Sequence, residues 1–391
     1  MATAIGLLLG GLSLIPMAMD LFPPKVEQST TVRIGAGTSI KSEANTAGNT
    51  PGIQLYDVVG RFVAKQGGSR DRIADGGYKD IKLTGGKGVG ARQAQYISVS
   101  SGGNDALCIS YIAVTWPDGG QQTWTGDVGF TCGAFWYESQ TILDATTNYM
   151  PKCVWLDSDG SNGITTKAMG IHMTDFTPTD DRVEQYRTDP DSMCKSAPRF
   201  KLFTNAKDAD CITVFDPPLD FTPNTLVDKD RSKVVGVAGT KSCDVKNKRR
   251  GRTEVPTPRD SSLLSNSNSN ININITTNIP SISNSTSIPY SFNTSAFFGQ
   301  LIVSNSTSHS AAGLCDSDSS RGPDFVARQE GSDGVYCDMR NKKTYPVCCL
   351  SGKPATGACF DVKLNTLRPP PGVAARDIGL PEKEYHTVTQ W

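Results

Sequence analysis

The residues with the most evident chemical potential are the oxygen-bearing side chains of Asp157-Ser-Asp159-Gly-Ser-Asn162-Gly, gathered in a short glycine-bent stretch after an apolar run. Hard cations such as calcium accept carboxylate and amide oxygens of this kind, so Asp157, Asp159 and Asn162 form a candidate calcium site. The spacing departs from an EF-hand loop: Gly160 comes early and no glutamate closes the twelfth position. A plain Asp/Gly turn is the competing and preferred reading. Asp157 with Asp127 or Glu138 could instead pair as acid and base on a glycan, which would require the two carboxyls to lie roughly 5 to 10 Å apart.

Nucleophilic hydrolysis finds little support. Of three histidines, His309 and His386 fall in an apparent connector and tail, and a lone His172 in the β-rich region reads as structural. No Gly-x-Ser-x-Gly elbow, His-Glu-x-x-His helix or Gly-x4-Gly-Lys-Ser/Thr loop occurs. Gly86-Lys-Gly88-Val-Gly90-Ala91 mimics a dinucleotide fingerprint but leads into the strand-like run 95–100, not the helix whose N-terminus would hold a pyrophosphate. No catalytic residue is assigned, no cofactor beyond calcium is called for, and the sequence leans against an enzyme.

Sulfur is the stronger signal. The chain carries eleven cysteines, at 108, 132, 153, 194, 211, 243, 315, 337, 348, 349 and 359, with no C-x-x-C pair. Disulfides in an oxidising compartment explain them better than zinc, with one thiol left over or joined to another chain. Cys108, Cys132 and Cys153 lie in one block and could supply a bridge. Lys+Arg and Asp+Glu both total 39, so no net field draws nucleic acid or an anionic membrane.

Other segments agree with export. The uncharged run Ala4 to Met19 is short for a membrane span, so residues 1–20 read as a signal peptide, or else as a retained Gly-rich apolar helix that lies on a membrane. Membrane contact is expected only in the second case. Lys248-Arg249-Arg250 resembles a dibasic processing site, with a solvated basic loop as the plain alternative. Asn274, Asn284, Asn293 and Asn305 each open an Asn-x-Ser/Thr sequon.

The scaffold that must position these groups is mainly β. Cys108 to Trp116 is mainly β-branched, aromatic and apolar and ends at Pro117-Asp118-Gly119-Gly120. A hairpin there would set Trp116 opposite Gln121 and Ala113 opposite Trp124. One face would then carry Cys108, Ile112, Val114 and Trp116, and the other Ile109, Tyr111, Ala113 and Trp124. A strand apolar on both faces needs cover on both. Thr31 to Ile34, Ile53 to Val59, Arg61 to Ala64, Asp80 to Leu83 and Gln95 to Ser100 follow the same strand-and-turn pattern. Together they predict an antiparallel β-sandwich or jelly-roll-like domain over 30–245. Trp136, Tyr137 and Trp155 either extend its core or line a shallow ligand-binding face.

Beyond it, 246–312 reads as a disordered Ser/Asn-rich linker with the dibasic site and sequons, 313–365 as a small disulfide-rich module, and 366–391 as an extended solvated tail. A bridge from the module back to Cys211 or Cys243 would tether the halves.

Asn104-Asp-Ala-Leu-Cys-Ile-Ser-Tyr-Ile-Ala-Val-Thr-Trp-Pro-Asp-Gly, with Gly126-Asp-Val-Gly, Cys153-Val-Trp-Leu-Asp, Gly322-Pro-Asp-Phe-Val and Tyr336-Cys-Asp-Met, resembles secreted-type Cys-rich proteins of filamentous fungi that have no assigned activity. The likeness covers most of the chain outside the Ser/Asn tract. It implies a fungal extracellular protein and transfers no site residue. The expectation is a secreted, disulfide-bonded glycoprotein that binds an extracellular glycan or surface protein. A membrane-active toxin-like protein and a glycan hydrolase are the alternatives.

Overall fold

The computed structural model describes residues 21–37, 46–85, 93–177, 179–216, 218–219, 297–348 and 356–391, with the backbone of strand Val234–Gly239. The leader at 1–20, the Gly86 to Ala91 stretch, Cys243, Lys248, Arg249, Arg250, Asn274, Asn284, Asn293 and Cys349 lie outside the described residues.

Two antiparallel sheets pack face to face. The first runs Trp136–Tyr137, Cys153–Leu156, Leu107–Thr115, Ser29–Ala36, Tyr78–Thr84, with Gln121–Thr125 also paired to Leu107–Thr115. The second runs Phe200–Phe203, Ala168–His172, Tyr96–Ser100, Gly52–Tyr56, Phe62–Gln66. Alternate residues face inward: Val32 and Ile34, Ile53 and Leu55, Ile97 and Val99, Met169 and Ile171 meet in one buried core. Each such side chain contributes roughly 1.5–3 kcal/mol on leaving water, so these pairs account for the sandwich.

The central strand Leu107–Thr115 is buried at every residue, as its double apolar face demands. Its register differs from the expected one by a residue. Thr115 pairs with Gln121 and Ile112 with Trp124, because Gly119 takes φ +93° and the Trp116 N–H closes the loop on the Gly120 carbonyl at 2.8 Å. The turn therefore holds three residues instead of four.

The assignment of faces changes as well. Tyr111 pairs with Gly35 and Ile109 with Ala36, leaving Ser110 as an extra residue, a β-bulge that inverts the alternation. Ile109 therefore shares the inner core with Ile112, Val114, Trp116 and Trp124, while Cys108 lies in a different cluster. The Ser110 hydroxyl lies 3.2 Å from both the Gly35 and Ala36 carbonyl oxygens, within reach of the backbone that the bulge displaces. Gly35 has to be glycine, since the Tyr111 ring occupies the place of its Cβ.

The outer face of the first sheet is covered twice. At one end Tyr111 and Ala113 meet Leu143, Tyr149, Leu21 and Phe22. At the other end sits a third sheet, ordered Lys343–Pro346, Val335–Asp338, Asp324–Ala327, Gln300–Ser304, Thr387–Gln390. Its last two pairings are parallel, so the antiparallel rule holds for the sandwich and not for this unit.

The C-terminal unit is larger than the expected module. It begins with residues assigned to the linker, since Gln300–Ser304 is its inner strand and Ala311–Asp316 a helix. That helix is capped by Ser310 Oγ, which accepts from the Gly313 N–H at 2.8 Å, and by Glu330, which accepts from the Ala311 N–H at 2.7 Å. It ends with residues assigned to the tail: Thr366–Arg368 and Thr387–Gln390 are strands, and Trp391 is buried against Tyr137 and Phe325.

Four bridges join described residues: Cys108 to Cys153, Cys132 to Cys194, Cys315 to Cys337 and Cys348 to Cys359. The C-terminal unit staples itself with the last two, so none of those four cysteines ties it back to Cys211 or Cys243. Cys211 is also disulfide-bonded.

Candidate functional site

Trp136, Tyr137 and Trp155, weighed as a ligand-binding face, offer none: each is at most 1% exposed. They are the seam between sandwich and C-terminal unit. Trp136 Nε1 donates to Ser317 Oγ, Trp155 Nε1 to the Arg321 carbonyl, and the Tyr137 hydroxyl to the Pro323 carbonyl, each at 2.9 Å. All three acceptors lie in the turn between the helix and strand Asp324–Ala327, so the aromatic ends are satisfied only when the two units are docked.

The acidic loop is split. Asp157, at the end of strand Cys153–Leu156, is fully buried, and its Oδ2 finds no hydrogen-bond partner. Burial, with Asp159 close by, pushes its pKa up to about 6. Asp159 points outward and accepts from the Ser161 N–H at 2.8 Å, while Asn162 borders a cleft. No cluster of three or more histidine, cysteine or acidic side chains suited to a metal occurs among the described residues.

Asp127 and Glu138 are placed by structural partners. Asp127 accepts from the Tyr149 hydroxyl at 2.6 Å and the Lys152 N–H at 2.9 Å. Glu138 is buried with Lys152 Nζ 3.5 Å away. Burial works against the Lys152 ammonium, but Glu138 and Asp127 outweigh it and hold its pKa above the usual value.

Two histidines are interior. His172 Nδ1 lies 2.8 Å from Asp175 Oδ2, and its ring stacks on Tyr96 at 4.2 Å. Burial opposes the Asp175 charge, yet His172, Arg199 and Arg182 keep its carboxyl well below the ordinary range. This is the structural role expected of His172. His309, assigned to the connector, is buried beside Trp391 at 5.4 Å. Its Nε2 donates to the Ser139 carbonyl at 3.1 Å, and Nδ1 accepts from the Ser304 hydroxyl at 2.6 Å.

A cleft of about 340 Å³ opens in the C-terminal unit beside the acidic loop. Phe297 and Phe298 flank it, and Phe298 is 62% exposed. Asp324, Lys383 and Tyr385 line another part as one network. Lys383 Nζ donates to Asp324 at 2.9 Å and Asp338 at 2.8 Å, and Tyr385 donates to Asp324 Oδ2 at 2.5 Å, with the Tyr336 hydroxyl 2.6 Å from the Tyr385 oxygen. Burial works against the Lys383 ammonium, but both carboxylates outweigh it and hold its pKa up. Burial and Asp324 hold both phenols neutral.

Lys342, at φ +50°, reaches from the next turn and donates to the Leu314 carbonyl at 3.2 Å, the Ser320 carbonyl at 3.1 Å and Ser320 Oγ. Burial and nearby Arg321 pull its pKa down to about 8. A serine beside such a lysine invites a nucleophile–base reading. The hydrogen bonds oppose it: three acceptors take up the ammonium, and the Ser320 hydroxyl donates to the Leu314 carbonyl at 2.6 Å. The pair fastens the helix to the turn that forms one wall of the cleft.

Phe298, Arg340, Lys383 and Tyr385 were not singled out in the sequence. The adjacent rings of Phe297-Phe298 interrupt a Ser/Asn tract and, beside Asn162 of the acidic loop, were a sign of the cleft.

Fold and cysteines together define a disulfide-stapled, mainly β protein. No family model matches the chain, and no curated protein does either. Two crystal structures of Delta413-417:GS forms of LOX are similar over limited stretches. One is 11% identical with a TM-score of 0.20, covering 25% of this chain and 14% of that one. The other is 11% identical with a TM-score of 0.23, covering 43% and 20%. The chain thus spans a fifth or less of their length, and likenesses this slight carry no argument.

Proposed function

We propose that the protein works outside the cell as a binding protein whose ligand is a glycan, taken by the Phe298 cleft. The disulfides support the compartment, because bridges of this number persist where thiols are oxidised. One observation carries the ligand class: an exposed aromatic ring stands beside charged hydrogen-bonding groups in one small concavity. A sugar has the matching faces. Its C–H surface stacks on a ring, and its hydroxyls pair with groups such as Arg340, Asn341 and Glu382 at the opening. The Asp324 network beside them is internally bonded, which keeps that part of the wall fixed and lowers the ordering cost of binding.

The test is calorimetric titration of the purified full-length protein with a panel of oligosaccharides, repeated on Phe298→Ala and Arg340→Ala. Both side chains are exposed, so the variants should fold normally. At least one saccharide should bind, and each variant should weaken it about tenfold or more, as loss of an aromatic anchor or charged hydrogen bond does. Saccharide binding unchanged in both variants, or none across the panel, would reject the cleft as a glycan site.

A further inference from the structure

The sequon Asn305-Ser306-Thr307 leaves strand Gln300–Ser304 and enters a tight turn. Its backbone is anchored: the Asn305 N–H donates to the Trp391 carbonyl at 3.1 Å, and the Ser306 N–H to Ser304 Oγ at 3.0 Å. Ser304 and His309 on either side are buried, yet Asn305 and Thr307 are exposed. The Asn305 side-chain amide makes no hydrogen bond within the described residues, so a group attached to it would displace none there.

We propose that Asn305 carries an N-linked glycan, an inference that rests on the extracellular reading above. The chemistry is glycosyl transfer from a lipid-pyrophosphate-linked oligosaccharide, the donor class of the secretory pathway. The Asn305 Nδ2 bonds to the sugar C1, the C1–O bond to the pyrophosphate breaks, and the amide proton leaves to a base of the transferring enzyme. Thr307, two residues on, supplies the hydroxyl that sequon recognition requires. Transfer precedes folding, so the finished fold must leave the site open; Asn305 on the rim of the third sheet meets that condition. The glycan would stand where the inner strand ends beside Thr387–Gln390, the outermost strand of that sheet. An edge strand shielded in this way is less able to pair with a second copy.

The test is expression of the full chain in a eukaryotic secretory host, with intact-mass and peptide mapping before and after enzymatic deglycosylation in heavy-oxygen water. Conversion of residue 305 to labelled Asp in the wild type is expected. Asn305→Gln and Thr307→Ala should each lose one glycan's mass while keeping the four bridges. Exported protein with intact bridges and an unmodified Asn305 overturns the inference and leaves the extracellular reading standing. Protein with free thiols retained in the cytosol overturns both.

Discussion

The Tyr137 ring lies where a side chain on Gly322 would begin, so the sandwich and the C-terminal unit meet at a contact that admits no Cβ. The same tyrosine donates to the Pro323 carbonyl and meets Phe325 and Trp391 edge-on. Gly322→Ala should therefore destabilise the protein by about 1–3 kcal/mol through overpacking, and Tyr137→Ala by about 3–5 kcal/mol through the cavity it leaves. Urea denaturation followed by fluorescence measures both. If the two units were independent, the wild type would unfold in two transitions and neither change would affect the sandwich.

Asp157 sets a pH dependence of definite sign. Its folded pKa, about 6, lies above its ordinary 3.8, so the fold favours the protonated form. That stability is fully present below about pH 4 and is lost as pH rises through 6. In a chelator, Asp157→Asn should raise stability at pH 7.4 by about 1 kcal/mol or more, and the gain should vanish near pH 4. Thermal melts at both pH values check this. Calcium in the loop would reverse the result, stabilising the wild type and making Asp157→Asn harmful in its presence.

His309 acts in the opposite direction. Burial lowers its pKa from 6.5, even though Glu138 works the other way, so the neutral ring is the folded form. Stability is complete above about pH 6.5 and falls as pH drops, because the unfolded chain takes up the proton first. Its surroundings are Ser304, Ser139, Phe325 and Trp391, with Glu138 and Lys152 nearby. His309→Gln should flatten the profile between pH 6.5 and 5. A variant as acid-sensitive as the wild type would locate the titration elsewhere.

Much of the sandwich was legible, for a physical reason. Residues such as Val32 and Ile34 announce a buried face by their period of two, and Pro117 to Gly120 announce a turn. The Ser110 bulge was not, since an extra residue leaves no mark in composition and shows only once Gly35 meets Tyr111. The trio Trp136, Tyr137 and Trp155 was legible as core, as its burial shows, but not as the seam between two units, because rings in a seam and rings inside one sandwich are the same letters. Of the cleft, only Asn162 at its border was legible. Phe298 and Tyr385 come from stretches that look like linker and tail, and parallel pairing across the intervening residues brings them together. Long-range assembly of that kind has no local period to betray it.

Hydrogen exchange of the full-length protein with and without its saccharide tests the central claim most directly, that the cleft in the C-terminal unit is the recognition surface. Slower exchange confined to the backbone around 297–299, 339–342 and 381–385 is the expected result. Slowing centred on the sandwich, with those three segments unchanged, would contradict it.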